Sequence, residues 1–270
     1  MNTSPAPRTR HRDWWRPVRY LYRIPLLFVH FLLGLLMCLL VVGPGREAVA
    51  RDGHEPLAHR LTRWWSKGLM RIFGFRTRQV GQPLPDAAMF VCNHVTWLDI
   101  ELVHSQRAAC FVAKAEIARW PVVGWLAACG GTIFHKRGSN HSLSAVMQVM
   151  VERMRAGRSV AVFPEGGTSH NGELRVFHAR IFQAALDAEV PVQPVALRYT
   201  RHGQRWLDVA FRSGESFAAN IVRILGEPAC DAEVHFLPVV PPSSDGRRRM
   251  AEQARTRIER ALGGDTDIPS

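Results

Sequence analysis

The clearest chemistry in this 270-residue chain lies in a histidine five residues ahead of an aspartate, His94 and Asp99. An apolar run over residues 88–92 reads as a short buried strand. It stops at Asn93-His94, and Thr96 stands where the N-cap of a following helix belongs. His94 therefore falls on a strand-to-helix turn and Asp99 on the first helical turn. On one continuous helix, residues five apart point about 140° away from each other. With His94 on the turn, Asp99 can fold back and accept a proton from its ring. That fixes one imidazole tautomer and leaves the other nitrogen to take a proton from a hydroxyl. Such a pair is the base and orienter of a triad without an enzyme nucleophile, so the nucleophile is the substrate's own. Alone, the pair is equally well a structural hydrogen bond. Cys92, two residues before His94, has no cationic setting to form a thiolate and reads as core.

Other residues extend this beginning. A second apolar run ends at Lys114-Ala115-Glu116, either a solvated strand exit or groups near a substrate. Gly130 to Arg137 reads as a strand that delivers Arg137, with Lys136 before it, to its end. A planar guanidinium there suits bidentate binding of an anion. Phe163-Pro164-Glu165-Gly166-Gly167-Thr168-Ser169 closes a third apolar run. Glycines at a strand end let backbone N–H groups approach an oxyanion or phosphate oxygens. Val190-Pro191-Val192-Gln193-Pro194-Val195-Ala196 is an apolar strand with two prolines, which predicts an edge or a bulge.

The elements that must position these residues alternate short β-rich runs with helical ones. The pattern predicts strands at 88–92, 109–113, 131–135, 159–163, 192–198, 207–212 and 232–237. Helices are expected near 97–104, 121–128, 141–156, 176–188, 215–225 and 247–262. Such alternation implies an α/β fold with a largely parallel sheet flanked by helices. Sites in such folds gather at the carboxyl ends of the strands, where each motif above sits.

Ahead of this domain lies an anchor. Residues 20–42 are almost wholly apolar and close to the roughly 20 residues a spanning helix needs. No small-residue cleavage site closes the run as in a signal peptide. Basic residues flank both ends, so it either crosses or lies within one leaflet. In residues 56–73, Leu57, Leu61, Trp64, Trp65, Leu69 and Ile72 share one stripe, and Arg60, Arg63, Lys67 and Arg71 another, as in an interfacial helix. The expected organisation is a basic mobile tail over 1–19, membrane-anchoring helices over 20–75 and an α/β domain over 76–270. The formal charge of +12, with 35 Lys plus Arg, calls for an anionic partner. No nucleic-acid motif appears, and the cations flank apolar segments, so an anionic membrane surface is expected and nucleic acid is not. The five scattered cysteines form no disulfide or zinc framework. His135, His141, His170 and His178 lack metal-ligand spacing.

In order, Asn93-His94-x-x-x-x-Asp99, Gly130–Arg137, Phe163–Ser169 and Val190–Ala196 resemble the four motifs of the glycerolipid acyltransferases, best known as lysophosphatidic acid (1-acylglycerol-3-phosphate) acyltransferases. The resemblance spans residues 88–198. It implies catalysis by His94 and Asp99, and substrate binding by Asn93, Lys114, Arg137, Glu165, Gly166, Gly167 and Thr168. Pro191 and Pro194 would form a lip for the acyl chain. Two departures stand out: Lys136 replaces a common acidic residue, and Gly167-Thr168 replaces the third motif's usual Thr-Arg. The expected activity is transfer of an acyl group from acyl-CoA or acyl carrier protein to a lysolipid hydroxyl, with no bound cofactor or metal. The expected place is a bacterial inner membrane with the site facing the cytoplasm. Lysophosphatidic acid is the first acceptor expected. A lyso-amino-acid lipid such as lyso-ornithine lipid is the second, since it needs no phosphate-binding Arg. A non-catalytic binder of acidic lipids and a thioester hydrolase are the rival readings.

Overall fold

The computed structural model describes residues 13–39, 56–136, 140–169, 172–240 and 246–263, without the side chains of residues 140 and 141. Arg137, one expected binding residue, lies outside the described residues. The strands are β1 (Phe75–Val80), β2 (Met89–Cys92), β3 (Cys110–Lys114), β4 (Ile133–His135), β5 (Val160–Val162), β6 (Val192–Arg201), β7 (Gln204–Arg205) and β8 (Cys230–Phe236). The helices are α1 (Arg16–Met37), α2 (Leu57–Ile72), α3 (Leu98–His104), α4 (Val123–Cys129), α5 (Asn140–Arg155), α6 (Gln183–Ala188), α7 (Phe217–Leu225) and α8 (Gly246–Gly263).

One sheet runs in the order β1–β8–β6–β2–β5–β3–β4, with β7 paired to β6. From β6 to β4 every neighbouring pair is parallel. The parallel pair β1–β8 joins that block by an antiparallel edge on β6. The sheet is mixed but mostly parallel, as the alternating pattern implies. Strand β2 shows why it forms a central layer: Phe90 and Cys92 pack with α2, α3 and α7 on one face, Met89 and Val91 with α5, α6 and α8 on the other. All four are fully buried, as a strand covered on both faces must be.

Three expectations need correction. Residues 207–212 form turns, not a strand. Val209 and Ala210 are buried, but the Arg223 guanidinium takes the Asp208 and Ala210 carbonyls that a ladder would have used. Residues 75–80 form a parallel edge strand whose alternating Arg, Thr and Gln side chains hid it. The prolines of 190–196 do not lie at an edge, because β6 is flanked by β2 and β8; the expected bulge is present on the facing chain, where the register shifts by one residue between Val195↔Phe236 and Val192↔Val240. Pro194 keeps one bond of the β6–β8 pairing, its carbonyl accepting the Leu237 N–H at 3.0 Å in the register that starts at Val195↔Phe236. The Leu237 carbonyl, which a Pro194 N–H would have served, takes Gln193 Nε2 at 3.3 Å instead.

Helix α1 is long and apolar enough to cross a membrane, yet it runs antiparallel along α2. The His30 and Trp65 rings stack at 5.0 Å. At Gly34 a Cβ would come 2.6 Å from the Trp65 indole nitrogen, so only glycine allows this approach. At its start, Arg23 is buried and donates to the Leu225 and Glu227 carbonyls at 2.9 and 2.8 Å. The opposite side leaves Leu21, Ile24, Phe28, Leu32 and Leu36 exposed, each about half or more. The apolar stripe of α2 is divided: Leu69 is buried, Trp65 and Ile72 pack on the core, and Leu57 and Trp64 face outward.

Candidate active site

Two turns, at the carboxyl ends of the adjacent parallel strands β2 and β5, build the site. The first carries His94. Its Nδ1 lies 2.8 Å from Asp99 Oδ2, so the orienting bond anticipated from spacing is present. The same oxygen accepts the Val95 and Thr96 backbone N–H groups at 2.6 and 2.9 Å. Thr96 is therefore not the cap: its hydroxyl is buried without a partner, and α3 starts after Trp97 with no side-chain cap. Asp99 instead reaches back from the first helical turn to fix the N–H groups of the turn before it, and it holds the histidine as well. Its other oxygen accepts the Tyr199 hydroxyl at 2.7 Å. Four donors on a fully buried carboxylate suit an ionised, acceptor-only group. Burial beside Asp99 pushes the Tyr199 phenol well above its ordinary range, so it remains the donor.

The second turn locks onto the first through Glu165. Glu165 is almost fully buried. One of its oxygens accepts the His94 backbone N–H at 2.7 Å and the other the Arg175 N–H at 2.9 Å. Burial pushes its carboxyl up, and these two backbone bonds pull against that shift. Its carboxyl thus joins the two loops as a strut. The Ser169 N–H donates to the His94 carbonyl at 2.8 Å, which closes the frame. The Phe163 ring stacks on the His94 imidazole at 3.9 Å and is backed by Phe111. With one nitrogen bound and one face covered, the histidine has its Nε2 edge left for a substrate, and its side chain keeps 15% exposure.

The remaining expected residues are scattered around this centre. Asn93 is buried and its side-chain amide brackets Leu197, donating to its carbonyl at 3.1 Å and accepting its N–H at 2.7 Å. It ties β2 to β6. Lys114 is exposed at the end of β3. Gly166, with φ +71°, is exposed, and a Cβ there would meet His178 Nε2 at 3.2 Å. Its N–H donates to the Phe163 carbonyl. The Gly167 N–H makes no hydrogen bond among the described residues, and Arg175 Nη1 lies 3.2 Å from where a Gly167 Cβ would stand. Thr168 is half-buried, Pro191 half-buried and Pro194 buried within β6. Sequence reasoning missed Tyr199 because no local signal places a residue one hundred positions on against Asp99.

On the far side of α3 from Asp99 lies a cavity of about 190 Å³, walled mainly by apolar side chains of α1, α2, α4 and α7. Among the described residues no cluster of His, Cys, Asp and Glu could hold a metal ion.

Residues 77–198 match the family model described as Acyltransferase. The chain is 36% identical to the lyso-ornithine lipid O-acyltransferase of Pseudomonas aeruginosa, over 81% of this chain and 84% of that protein. It is 31% identical to the 1-acyl-sn-glycerol-3-phosphate acyltransferase of Neisseria gonorrhoeae, over 70% and 76%. The crystal structure of the 1-acyl-sn-glycerophosphate acyltransferase of Thermotoga maritima superimposes with a TM-score of 0.63 at 18% identity, covering 96% of this chain and 100% of that one, and so shares the fold. The chain belongs to the glycerolipid acyltransferase family and is an O-acyltransferase of lysolipids.

Proposed function

We propose that the acceptor is a lyso-amino-acid lipid of the lyso-ornithine kind, acylated at its free hydroxyl from a thioester of coenzyme A or acyl carrier protein. His94 Nε2 takes the hydroxyl proton while Asp99 holds the Nδ1 proton. The alkoxide attacks the thioester carbonyl, and the tetrahedral oxyanion meets the Gly167 N–H rather than that of Gly166, which the turn already uses. Collapse expels the thiolate, which recovers the proton from His94. No metal or cofactor enters this sequence of steps.

The observation that carries the choice of acceptor is Thr168. The motif's usual Arg is absent, and the guanidinium placed against the turn is that of Arg175, suited to one carboxylate. Relatives named lyso-ornithine lipid O-acyltransferase, at 36% identity in Pseudomonas aeruginosa and 32% in Brucella abortus, support the same reading. Lysophosphatidic acid is the second reading: Arg175 with His178, which packs on Gly166, would then receive the phosphate. Both lysolipids offered side by side with labelled donors test the choice. Product from lyso-ornithine lipid is expected; product from lysophosphatidic acid alone overturns the acceptor, and free fatty acid alone overturns transfer.

The exposed stripe of α1 suits immersion in one leaflet. A helix fixed along α2 and held at Arg23 by two carbonyls lies parallel to the domain surface, as an interfacial helix does. The outward Leu57 and Trp64 of α2 would join it. The site would then open toward the cytoplasmic leaflet, where the thioesters are made.

A further inference from the structure

Glu101 stands two residues after Asp99 on α3 and takes no part in the proton chemistry. At 3.6 residues per turn it points about 160° away from Asp99, into the cavity behind the helix. The walls there are Leu27 and Phe31 of α1, Trp65 of α2, and Trp97, Trp120 and Phe217. This lining suits a hydrocarbon chain, and a carboxyl set into it costs free energy that a saturated chain does not return.

The carboxyl has one protein partner: Ser66 Oγ donates to Oε2 at 2.7 Å. Oε1 accepts no hydrogen bond among the described residues. Glu101 keeps accessible surface although protein surrounds it, because that surface faces the cavity. His104, which also borders the cavity, spends its Nε2 on the Ala109 carbonyl at 2.9 Å and makes no hydrogen bond to Glu101 among the described residues. Burial pushes the Glu101 carboxyl up, toward the form that both donates and accepts. A neutral hydroxyl would bond Oε1 and leave the rest of its chain on apolar walls.

We propose that this apolar cavity takes the acyl chain of the thioester donor used in the transfer proposed above, and that Glu101 and Ser66 form in it a polar subsite that selects a chain bearing a hydroxyl group. A site built to bond a hydroxyl rejects the analogue lacking it, because its own polar group is then left unpaired.

The test is a competition between hexadecanoyl and hydroxyhexadecanoyl thioesters, with the hydroxyl at several positions along the chain, read as the ratio of products. The full-length enzyme is expected to favour one hydroxy isomer by about 10-fold or more. Glu101→Leu should bring that ratio to one or below while transfer of the plain chain holds or rises. Ser66→Ala, a smaller change, should reduce the ratio in the same direction. No preference for any isomer in the wild type, or a preference that both variants leave intact, overturns the proposal. A donor with a photoreactive tail separates the two levels: labelling of cavity residues without a hydroxyl preference removes the role of Glu101 alone. Labelling elsewhere removes the cavity reading with it.

Discussion

Two carboxyl groups on one short helix meet opposite fates in this enzyme. Asp99 accepts four hydrogen bonds, from His94, Val95, Thr96 and Tyr199. Glu101, on the other face of α3, has one, from Ser66. Both are removed from bulk water, so the difference is the number of donors aimed at them. A carboxylate buried with its donors in place is a fixed electrostatic part; one buried without them is driven toward its neutral form. The first fits a proton relay that must not reorganise. The second fits a surface waiting for a ligand to complete it.

The comparison breaks most directly at Asp99. Asp99→Asn keeps the shape but turns an amide N–H₂ toward donors and frees the imidazole tautomer. kcat is expected to fall about 10³-fold, read by steady-state transfer at saturating acceptor. A fall under tenfold would make the aspartate's bonds structural. Tyr199→Phe removes one donor of four, and hydrogen bonds to charged groups contribute about 1.5–3 kcal/mol. About a tenfold lower kcat with KM little changed is expected, and an unaltered kcat would take Tyr199 out of the relay. Glu101→Gln should change transfer of an unsubstituted chain by less than about twofold, its effect appearing in stability instead. Because burial raises the Glu101 carboxyl in the folded state, the native protein holds its proton more tightly than the unfolded chain. That contribution is complete below the ordinary carboxyl range and is lost as pH rises through the raised value. Thermal unfolding followed against pH should therefore show a shallower decline in the variant. A slope equal to the wild type's would return Glu101 to the ordinary.

How much of this was legible in the sequence follows contact distance along the chain. The His94–Asp99 bond spans five residues and a turn, and spacing with strand-end chemistry predicted it. The parallel sheet and the gathering of motifs at strand ends were equally readable, since hydrophobic runs and their punctuation are local. What spans the fold was not. Tyr199 reaches Asp99, and Asn93 reaches Leu197, over about a hundred residues. The place of Glu165 between two backbone N–H groups is visible only once the loops meet. The apolar pattern of 207–212 could not reveal that Arg223 would take its carbonyls. Pro194 suggested an edge or a bulge, and only the edge fails, because no local rule reports that a strand has a neighbour on each side.

The central claim is that His94 serves as base toward the substrate's own hydroxyl. Single-turnover acyl transfer by the full-length enzyme in vesicles, wild type against His94→Ala, tests it most directly, with vesicle sedimentation run alongside. The account predicts transfer reduced about 10³-fold or more in a variant that still sediments with the vesicles. Transfer within tenfold of the wild type would contradict it.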